Sequence, residues 1–366
     1  MVWSIRMKSD RTTGPLTSYG RRVAPTRRAD GSTTRGVLMQ HRTIGTGTAT
    51  VEVSTLCLGA MNFGTSTPED TAFAILDRFV EAGGTFVDTA NNYNAWIPGG
   101  HGRESEDVLG RWIRSRGAAG LVRVATKCGA GKKDPALPLS GEAPTNFEGL
   151  GADVVKREAF ESMRHLGVDR LDVLYGHVDD RETPLEETVG AFGELVADGA
   201  VTVPGISNVT VWRVVEARAT AERLGVAPYG VVQQQGGYLV PTQTPFRTNW
   251  ITGDLLDYAA STGVEGRPQL AVVAYSPVLK GALSRDDRPL SGGTDHVGGR
   301  HRRQVLREVA HELGVSPERV ALAWLMGGEV PVVPLVGPSS VEQLDDALAA
   351  VDLVLDDDVR ARLDEA

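Results

Sequence analysis

Short apolar runs alternate with amphipathic stretches along most of the chain. Eight of the runs predict buried strands, because each is brief and is bounded by polar, glycine or proline residues. They cover residues 55–58, 85–87, 122–125, 171–174, 203–206, 231–232, 270–274 and 331–335. Residues 42–53 precede them and alternate around Gly45 and Gly47, which predicts a small β-hairpin.

The stretches between the strands carry apolar residues at helical spacing. They cover residues 68–82, 104–115, 153–166, 185–198, 211–224, 252–261, 303–313, 318–326 and 341–350. Strands that alternate with helices run parallel, and eight such units close into a barrel. The pattern therefore predicts an α/β fold, a (β/α)8 TIM barrel with an N-terminal β-hairpin. A doubly wound open sheet is the alternative, but no strand is followed by a GxGxxG phosphate loop.

Three long connections follow predicted strands, at residues 128–151, 236–251 and 281–302. Long loops after barrel strands lie on the C-terminal face, where barrel enzymes build their active sites. Large apolar side chains on this face are candidates for the wall of a pocket, namely Trp96, Ile97, Tyr238, Phe246 and Trp250.

The 366 residues have room for one barrel of about 250 residues with its loops. No apolar run reaches the roughly 20 residues of a membrane helix, so no membrane partner is expected. Residues 1–38 carry eight Lys or Arg against two Asp, a formal charge of +6, which leaves −15 for the remainder of a chain whose total is −9. This basic extension lacks hydrophobic periodicity and is predicted to be disordered, with residues 39–366 forming a single domain. We assign it no nucleic-acid partner, and the oligomeric state is not readable from the sequence.

Only two cysteines occur, Cys57 and Cys128, and both fall in or beside apolar strand-like runs. This usage fits buried thiols in a reducing compartment, which predicts a cytoplasmic protein. No Cys and His residues occur at the spacing of metal ligands, so no metal site is expected.

Four chemically compatible side chains follow three successive predicted strands. Asp88 ends the second strand, Lys127 the third and His177 the fourth, while Tyr93 lies in the loop after Asp88. Asp88 alone would suit a turn cap. Neighbouring strands are about 5 Å apart, however, so the four side chains can converge. Asp88 would then keep Lys127 charged, the ammonium would lower the pKa of Tyr93, and His177 would share the proton or bind a carbonyl.

Several ordered blocks make the chain resemble the aldo-keto reductase family from about residue 42 to the end. They include LCLGAMNFG, GGTFVDTANNY, SEDVLGRW, VATKCG, GISN and VVAYSP. The resemblance implies reduction of an aldehyde or ketone by hydride transfer from NADPH, or less often NADH. It also implies a catalytic tetrad of Asp88, Tyr93, Lys127 and His177.

The resemblance further implies a set of cofactor contacts. The set comprises Ser207, Asn208 and Gln233 at the nicotinamide carboxamide, Tyr275 stacked on the ring, Ser276, Pro277, Leu279 and Gly281 at the pyrophosphate, and Gly337, Ser339 and Gln343 at the adenosine half. Gln235 shares a strand face with Gln233, which leaves the choice between these two glutamines open.

Some positions depart from the family pattern. Residues 337–350 lack the basic residue that many members use for the 2′-phosphate, so NADH stays possible beside NADPH. Gly236 replaces a tyrosine that usually stands three residues after the sixth-strand glutamine, and Pro204 predicts a bulge in its strand. Two other functions are less favoured. The intact tetrad argues against a weakly catalytic, cofactor-binding regulatory subunit, and a hydrolase that uses Glu104 and Glu106 is disfavoured because both residues suit the first turn of one helix.

Overall fold

The computed structural model describes residues 39–139, 146–242, 249–263 and 269–366. The described residues all belong to one compact unit, Gly36–Ala366. The disorder predicted for residues 1–38, and the pocket position predicted for Phe246, concern residues outside the described ranges.

An antiparallel hairpin precedes eight parallel strands that close into a barrel. The hairpin consists of β1 (His41–Thr46) and β2 (Ala49–Ser54). The barrel strands are β3 (Cys57–Gly59), β4 (Phe86–Asp88), β5 (Arg123–Cys128), β6 (Leu171–Gly176), β7 (Val201–Ser207), β8 (Val231–Gln235), β9 (Ala271–Tyr275) and β10 (Val333–Val336). They pair in chain order, and β10 closes the ring against β3. The predicted TIM barrel and hairpin are confirmed.

Ten α-helices are found in the described part of the chain. They are α1 (Glu69–Glu81), α2 (Glu104–Arg116), α3 (Ala152–Leu166), α4 (Leu185–Ala197), α5 (Val211–Leu224), α6 (Gly253–Ala260), α7 (Val297–Leu313), α8 (Pro317–Met326), α9 (Val341–Leu348) and α10 (Asp357–Asp364). The sequence pattern missed α10 and placed the start of α7 six residues too late. None of the helices in the described ranges is long and apolar enough to cross a membrane.

Two hydrophobic clusters, one inside the barrel and one between the strands and helices, show which way Asp88 and Lys127 point. Phe86 of β4 belongs to the cluster inside the barrel, whereas Val87 belongs to the cluster between strands and helices. Because strand side chains alternate, Asp88 points inward again. In β5 the inward Ala125 likewise directs Lys127 into the barrel. The hairpin packs on the interior cluster through Ile44 and Val53, which covers the N-terminal end and leaves the chemistry at the C-terminal end.

The bulge predicted at Pro204 is wrong. Strand β7 keeps one register with β6, in which Leu174 pairs with Pro204 and Tyr175 with Gly205. Pairing with β8 begins only at Gly205, and the Pro204 carbonyl accepts a hydrogen bond from Gly230 N at 2.9 Å. The N–H group that proline lacks would point the same way as this carbonyl, toward the segment before β8. No hydrogen bond of the β7–β8 ladder is therefore lost.

Candidate active site

Lys127 is the centre of the site. Its ammonium group has three N–H donors, and the structure gives it three acceptors. They are Asp88 Oδ1, the Thr89 carbonyl oxygen at 2.7 Å and Tyr93 Oη at 2.7 Å. The side chain is 1% exposed. A long side chain that is otherwise flexible is thereby fixed in one position beneath the phenol.

Asp88 and Lys127 form a buried ion pair. Burial raises the pKa of Asp88, while the Lys127 charge and a hydrogen bond from Gln233 act against that rise. Burial lowers the pKa of Lys127, but the charge of Asp88, helped by Tyr93, outweighs it and raises that pKa overall. Lys127 therefore stays an ammonium ion at neutral pH, as the role predicted for Asp88 requires.

The pKa of Tyr93 departs from the sequence-based expectation. Burial raises it to about 12, although the charge of Lys127 acts to lower it. The predicted decrease in the pKa of Tyr93 is wrong. Removing the phenolate from water destabilises it more than the Lys127 ammonium stabilises it, and the negative charge of Asp88 nearby destabilises it further. Tyr93 consequently holds its proton at neutral pH and is available as a proton donor.

His177 follows β6 directly and completes the predicted group of four. Its ring stands edge-on to Tyr93, with the ring centroids 5.9 Å apart. Burial, followed by the charge of Lys127, lowers the pKa of His177 well below its usual value, so the imidazole is neutral. Its Nδ1 atom is buried and has no hydrogen-bond partner among the described residues.

A cavity of about 350 Å³ opens in front of this group. Its lining combines polar residues near Tyr93 with an apolar wall, and consists of Asn92, Tyr93, Trp96, Ala130, Leu139, Phe147, His177, Val178 and Asn208. Of the large apolar candidates from the sequence, Trp96 lies in this lining. Tyr238 does not, because it is fully buried in another cluster and its hydroxyl donates to the Leu363 carbonyl at 2.9 Å.

Glu148 anchors the loop that supplies part of this wall. Its carboxylate accepts hydrogen bonds from Gly129 N and Gly131 N, both at 3.2 Å, and from Asn91 Nδ2 at 3.1 Å. Burial, together with the charge of Glu158, raises the pKa of Glu148. Glu148 was not predicted from the sequence, because a glutamate in a long loop carries no signal of a buried anchor.

The residues predicted at the nicotinamide carboxamide lie at the ends of neighbouring strands. Tyr275 Oη donates to Asn208 Oδ1 at 2.8 Å, and Asn249 Nδ2 donates to Tyr275 Oη at 2.9 Å. Asn208 Nδ2 donates to the His177 carbonyl at 2.9 Å and lies 3.2 Å from Ser207 Oγ. The structure thus brings Ser207, Asn208 and Tyr275 together beside the group of four.

The turn after β9 has unusual backbone geometry. Ser276 has a φ of 55°, Leu279 of 48°, Lys280 of 57° and Gly281 of 83°. Three of these residues are not glycine, and such left-handed backbone is costly and clusters at ligand sites. Turns of this kind direct backbone N–H groups into anion-binding hollows. Within this turn, Leu279 N donates to the Ser276 carbonyl at 3.2 Å and Gly281 N to the Val278 carbonyl at 2.9 Å, so these two N–H groups are already engaged.

The residues predicted at the adenosine half lie after β10. Gln343 Oε1 accepts from Ser339 N at 2.9 Å and from Ser339 Oγ at 3.1 Å, at the start of α9. Gly337 lies in the same connection. The first turn of α9 carries Glu342 and no basic side chain.

The two carboxylates of the hydrolase alternative have structural partners. Glu104 accepts from the backbone N–H groups of His101 and Gly102, at 2.7 Å and 2.9 Å. Glu106 is fully buried, pairs with Arg103 at 2.7 Å and accepts the Thr126 hydroxyl at 2.6 Å. Within the described ranges, no three His, Cys, Asp or Glu side chains group as a metal site.

A closed parallel barrel with a buried lysine, a phenol and an imidazole at its C-terminal mouth defines a barrel enzyme. Residues 55–366 match the model of the Aldo/keto reductase family. The chain is 33% identical over 324 residues to the uncharacterized oxidoreductase YrpG of Bacillus subtilis, covering 86% of this chain and 92% of that protein. It is 30% identical over 322 residues to the norsolorinic acid reductase stcV of Emericella nidulans, covering 85% and 77%.

The solved structures agree on the fold. A thermostable aldo-keto reductase, Tm1743, crystallised with the inhibitor epalrestat, superposes with a TM-score of 0.65 at 23% identity, covering 89% of this chain and 99% of that one. The chain belongs to the aldo/keto reductase family. It is therefore an oxidoreductase that depends on a nicotinamide cofactor, and the predicted family and enzyme class are confirmed.

Proposed function

We propose that the protein reduces an aldehyde or ketone, with NADPH as the cofactor and Tyr93 as the general acid. The observation that carries this proposal is the hydrogen bond of 2.7 Å from Lys127 Nζ to Tyr93 Oη at the edge of the cavity. NADH remains an alternative donor, because the first turn of α9 offers no basic side chain for a 2′-phosphate.

The proton transfer follows from the contacts of Tyr93. Its hydroxyl gives its proton to the carbonyl oxygen as that oxygen gains negative charge. Lys127 then donates to the phenolate left behind, and Asp88 keeps the ammonium charged. General-acid catalysis of this kind is worth about 10²- to 10⁴-fold in rate. Neutral His177 would help to orient the carbonyl oxygen.

The cofactor, when bound, supplies the hydride to the carbonyl carbon. We propose that Ser207, Asn208 and a glutamine of β8 hold its carboxamide and that Tyr275 packs against its ring. The left-handed turn after β9 would receive the pyrophosphate through backbone N–H groups other than those of Leu279 and Gly281. Its adenosine half would lie near Gly337, Ser339 and Gln343.

The cavity indicates the substrate class. Trp96, Leu139 and Phe147 are the large apolar side chains in the cavity lining, and the Trp96 ring lies edge-on to the ring of Tyr93. Planar, apolar carbonyl compounds bury the most surface in such a pocket, so we propose an aromatic aldehyde or ketone. The free, buried Cys57 and Cys128 are consistent with a proposed cytoplasmic location.

A cofactor-consumption assay tests the proposal. Purified protein is mixed with NADPH and a panel of benzaldehydes, aryl ketones and short aliphatic aldehydes, and the decay of NADPH absorbance is followed, with NADH in parallel. We expect turnover that is highest with the aromatic carbonyls. Clear binding of NADPH without reduction of any carbonyl would favour the regulatory-subunit function instead.

A further inference from the structure

Gln233 makes a contact that its predicted cofactor role does not explain. Its Nε2 atom donates a hydrogen bond of 2.8 Å to Asp88 Oδ2, and both side chains are buried. Strand β8 lies diametrically opposite β4 in the eight-stranded ring, so Gln233 reaches across the barrel interior. The two oxygens of Asp88 are thus held from different sides, Oδ1 by Lys127 and Oδ2 by this amide.

The other glutamine on the same face of β8 lies nearer the mouth. Gln235 is two residues further along the strand, pairs in register with Tyr275 and is partly exposed. Val231 joins the interior cluster and Val232 the outer one, which directs both Gln233 and Gln235 inward. One glutamine therefore lies below the site and the other at its rim.

We propose that Gln233 is a positioning residue for Asp88 and that the rim glutamine, Gln235, is left for the cofactor. The catalytic part of this inference rests on the proposed function. Gln233 fixes the orientation of the carboxylate, and through it the position of the ammonium that contacts Tyr93. It also supplies a neutral donor to an oxygen that has no access to water.

The groups that face Asp88 explain why this donor matters. Lys127 comes from β5, Cys57 from β3, Tyr175 from β6 and Tyr93 from the loop after β4. Burial raises the pKa values of Cys57 and Tyr175 well above their usual range, so both stay neutral. Without the Gln233 amide, only Lys127 and the polar atoms of neutral side chains would oppose protonation of Asp88.

Gln233→Met keeps the length of the side chain and removes the donor. Asp88 is required in its ionised form, which exists above its pKa. Loss of the hydrogen-bond donor raises the pKa of Asp88. The acidic limb of the kcat profile therefore moves to higher pH, by about one to two pH units for a hydrogen bond to a charged group. At a pH below that limb we expect kcat to fall roughly 10- to 100-fold with the Kd for NADPH unchanged.

Gln233→Glu should give the opposite pH dependence. Its protonated carboxyl can donate to Asp88, but two ionised carboxylates at this distance repel each other. Activity should therefore be lost as the pH rises rather than as it falls. Gln235→Met is the matched control, and it should weaken NADPH binding without moving either limb. A purely structural role for Gln233 would give neither of the two opposite shifts.

An infrared titration of the cofactor-free protein separates this inference from the proposed function. The C=O stretch of protonated Asp88, identified by its loss in Asp88→Asn, should appear at a higher pH in Gln233→Met than in the wild type. This result would stand even if no carbonyl is reduced. If Gln233→Met instead leaves both the infrared titration and the acidic limb unchanged, or only weakens NADPH binding, the positioning role is wrong. Should that variant fail to fold, Gln233→Glu decides by the direction of its pH dependence.

Discussion

Replacing Tyr93 with phenylalanine is expected to lower kcat for carbonyl reduction by roughly 10²- to 10⁴-fold. The substitution removes only the hydroxyl that receives the hydrogen bond from Lys127. The aromatic ring that packs against Trp96 and His177 remains, so the cavity should keep its shape. Steady-state kinetics with an aromatic aldehyde measure kcat, and quenching of tryptophan fluorescence measures the Kd for NADPH, which should change little.

Tyr229→Phe is the matched control for this substitution. Tyr229 is also a buried phenol, and its hydroxyl has no hydrogen-bond partner in the described part of the chain. It packs on Phe192 between the strands and the helices, outside the cavity. We expect its kcat to match that of the wild type. Full activity of Tyr93→Phe under the same conditions would rule out Tyr93 as the general acid.

Lys127→Met should affect both stability and catalysis. The substitution leaves the fully buried Asp88 without its counter-ion, and the hydrogen bond from the Gln233 amide is the contact described above that remains. Removing one partner of a buried ion pair costs about 3–5 kcal/mol in the free energy of unfolding. Tyr93 loses its cationic partner at the same time, so kcat should fall by roughly 10²-fold or more.

The double variant Asp88→Asn with Lys127→Met removes both charges together. Neither charge is then left alone in the interior, so most of the lost stability should return while activity does not. Urea unfolding followed by the fluorescence of the six tryptophans measures the free energy of unfolding for each protein. A single variant as stable as the wild type, or a double variant less stable than the single one, would contradict the buried ion pair.

The barrel was predictable because its strands are short, apolar and evenly separated by amphipathic helices. Helix α10 was not, since Leu363 is its one buried residue and five of the eight residues in DDVRARLD are charged, which leaves too few apolar positions to show a helical period. The start of α7 was missed for a related reason. Its first turn contains Gly298 and Gly299, and it begins at a hydrogen bond from Gly299 N to the His296 side chain. Such contacts leave no hydrophobic period in the sequence.

The positions of the site residues at strand ends were predictable from the sequence, whereas the effect of burial on their pKa values was not. Asp88 and Lys127 stand two residues beyond interior strand positions, so the sequence placed both at the mouth. The sequence does not show how deeply the Tyr93 hydroxyl is buried. The predicted direction of its pKa shift was therefore wrong.

The two inward-facing glutamines of β8, Gln233 and Gln235, show a second limit of sequence reasoning. Both residues lie on the same face of the strand. They differ in their depth along the barrel axis, which only the three-dimensional structure shows. The spacing did hold one usable signal. Tyr238 stands three residues after Gln235, which is the family spacing that Gly236 fails to provide after Gln233.

Transfer of a labelled hydride distinguishes carbonyl reduction from binding of the cofactor without reduction. NADPH carrying deuterium at the transferable position of the nicotinamide is consumed with an aromatic aldehyde, and the alcohol product is analysed by mass spectrometry and NMR. We predict one deuterium on the carbinol carbon with the wild type, formed at a rate that falls roughly 10²- to 10⁴-fold in Tyr93→Phe. Consumption of NADPH without label in the alcohol would exclude direct hydride transfer, and label transfer that is as fast in Tyr93→Phe would exclude Tyr93 as the general acid.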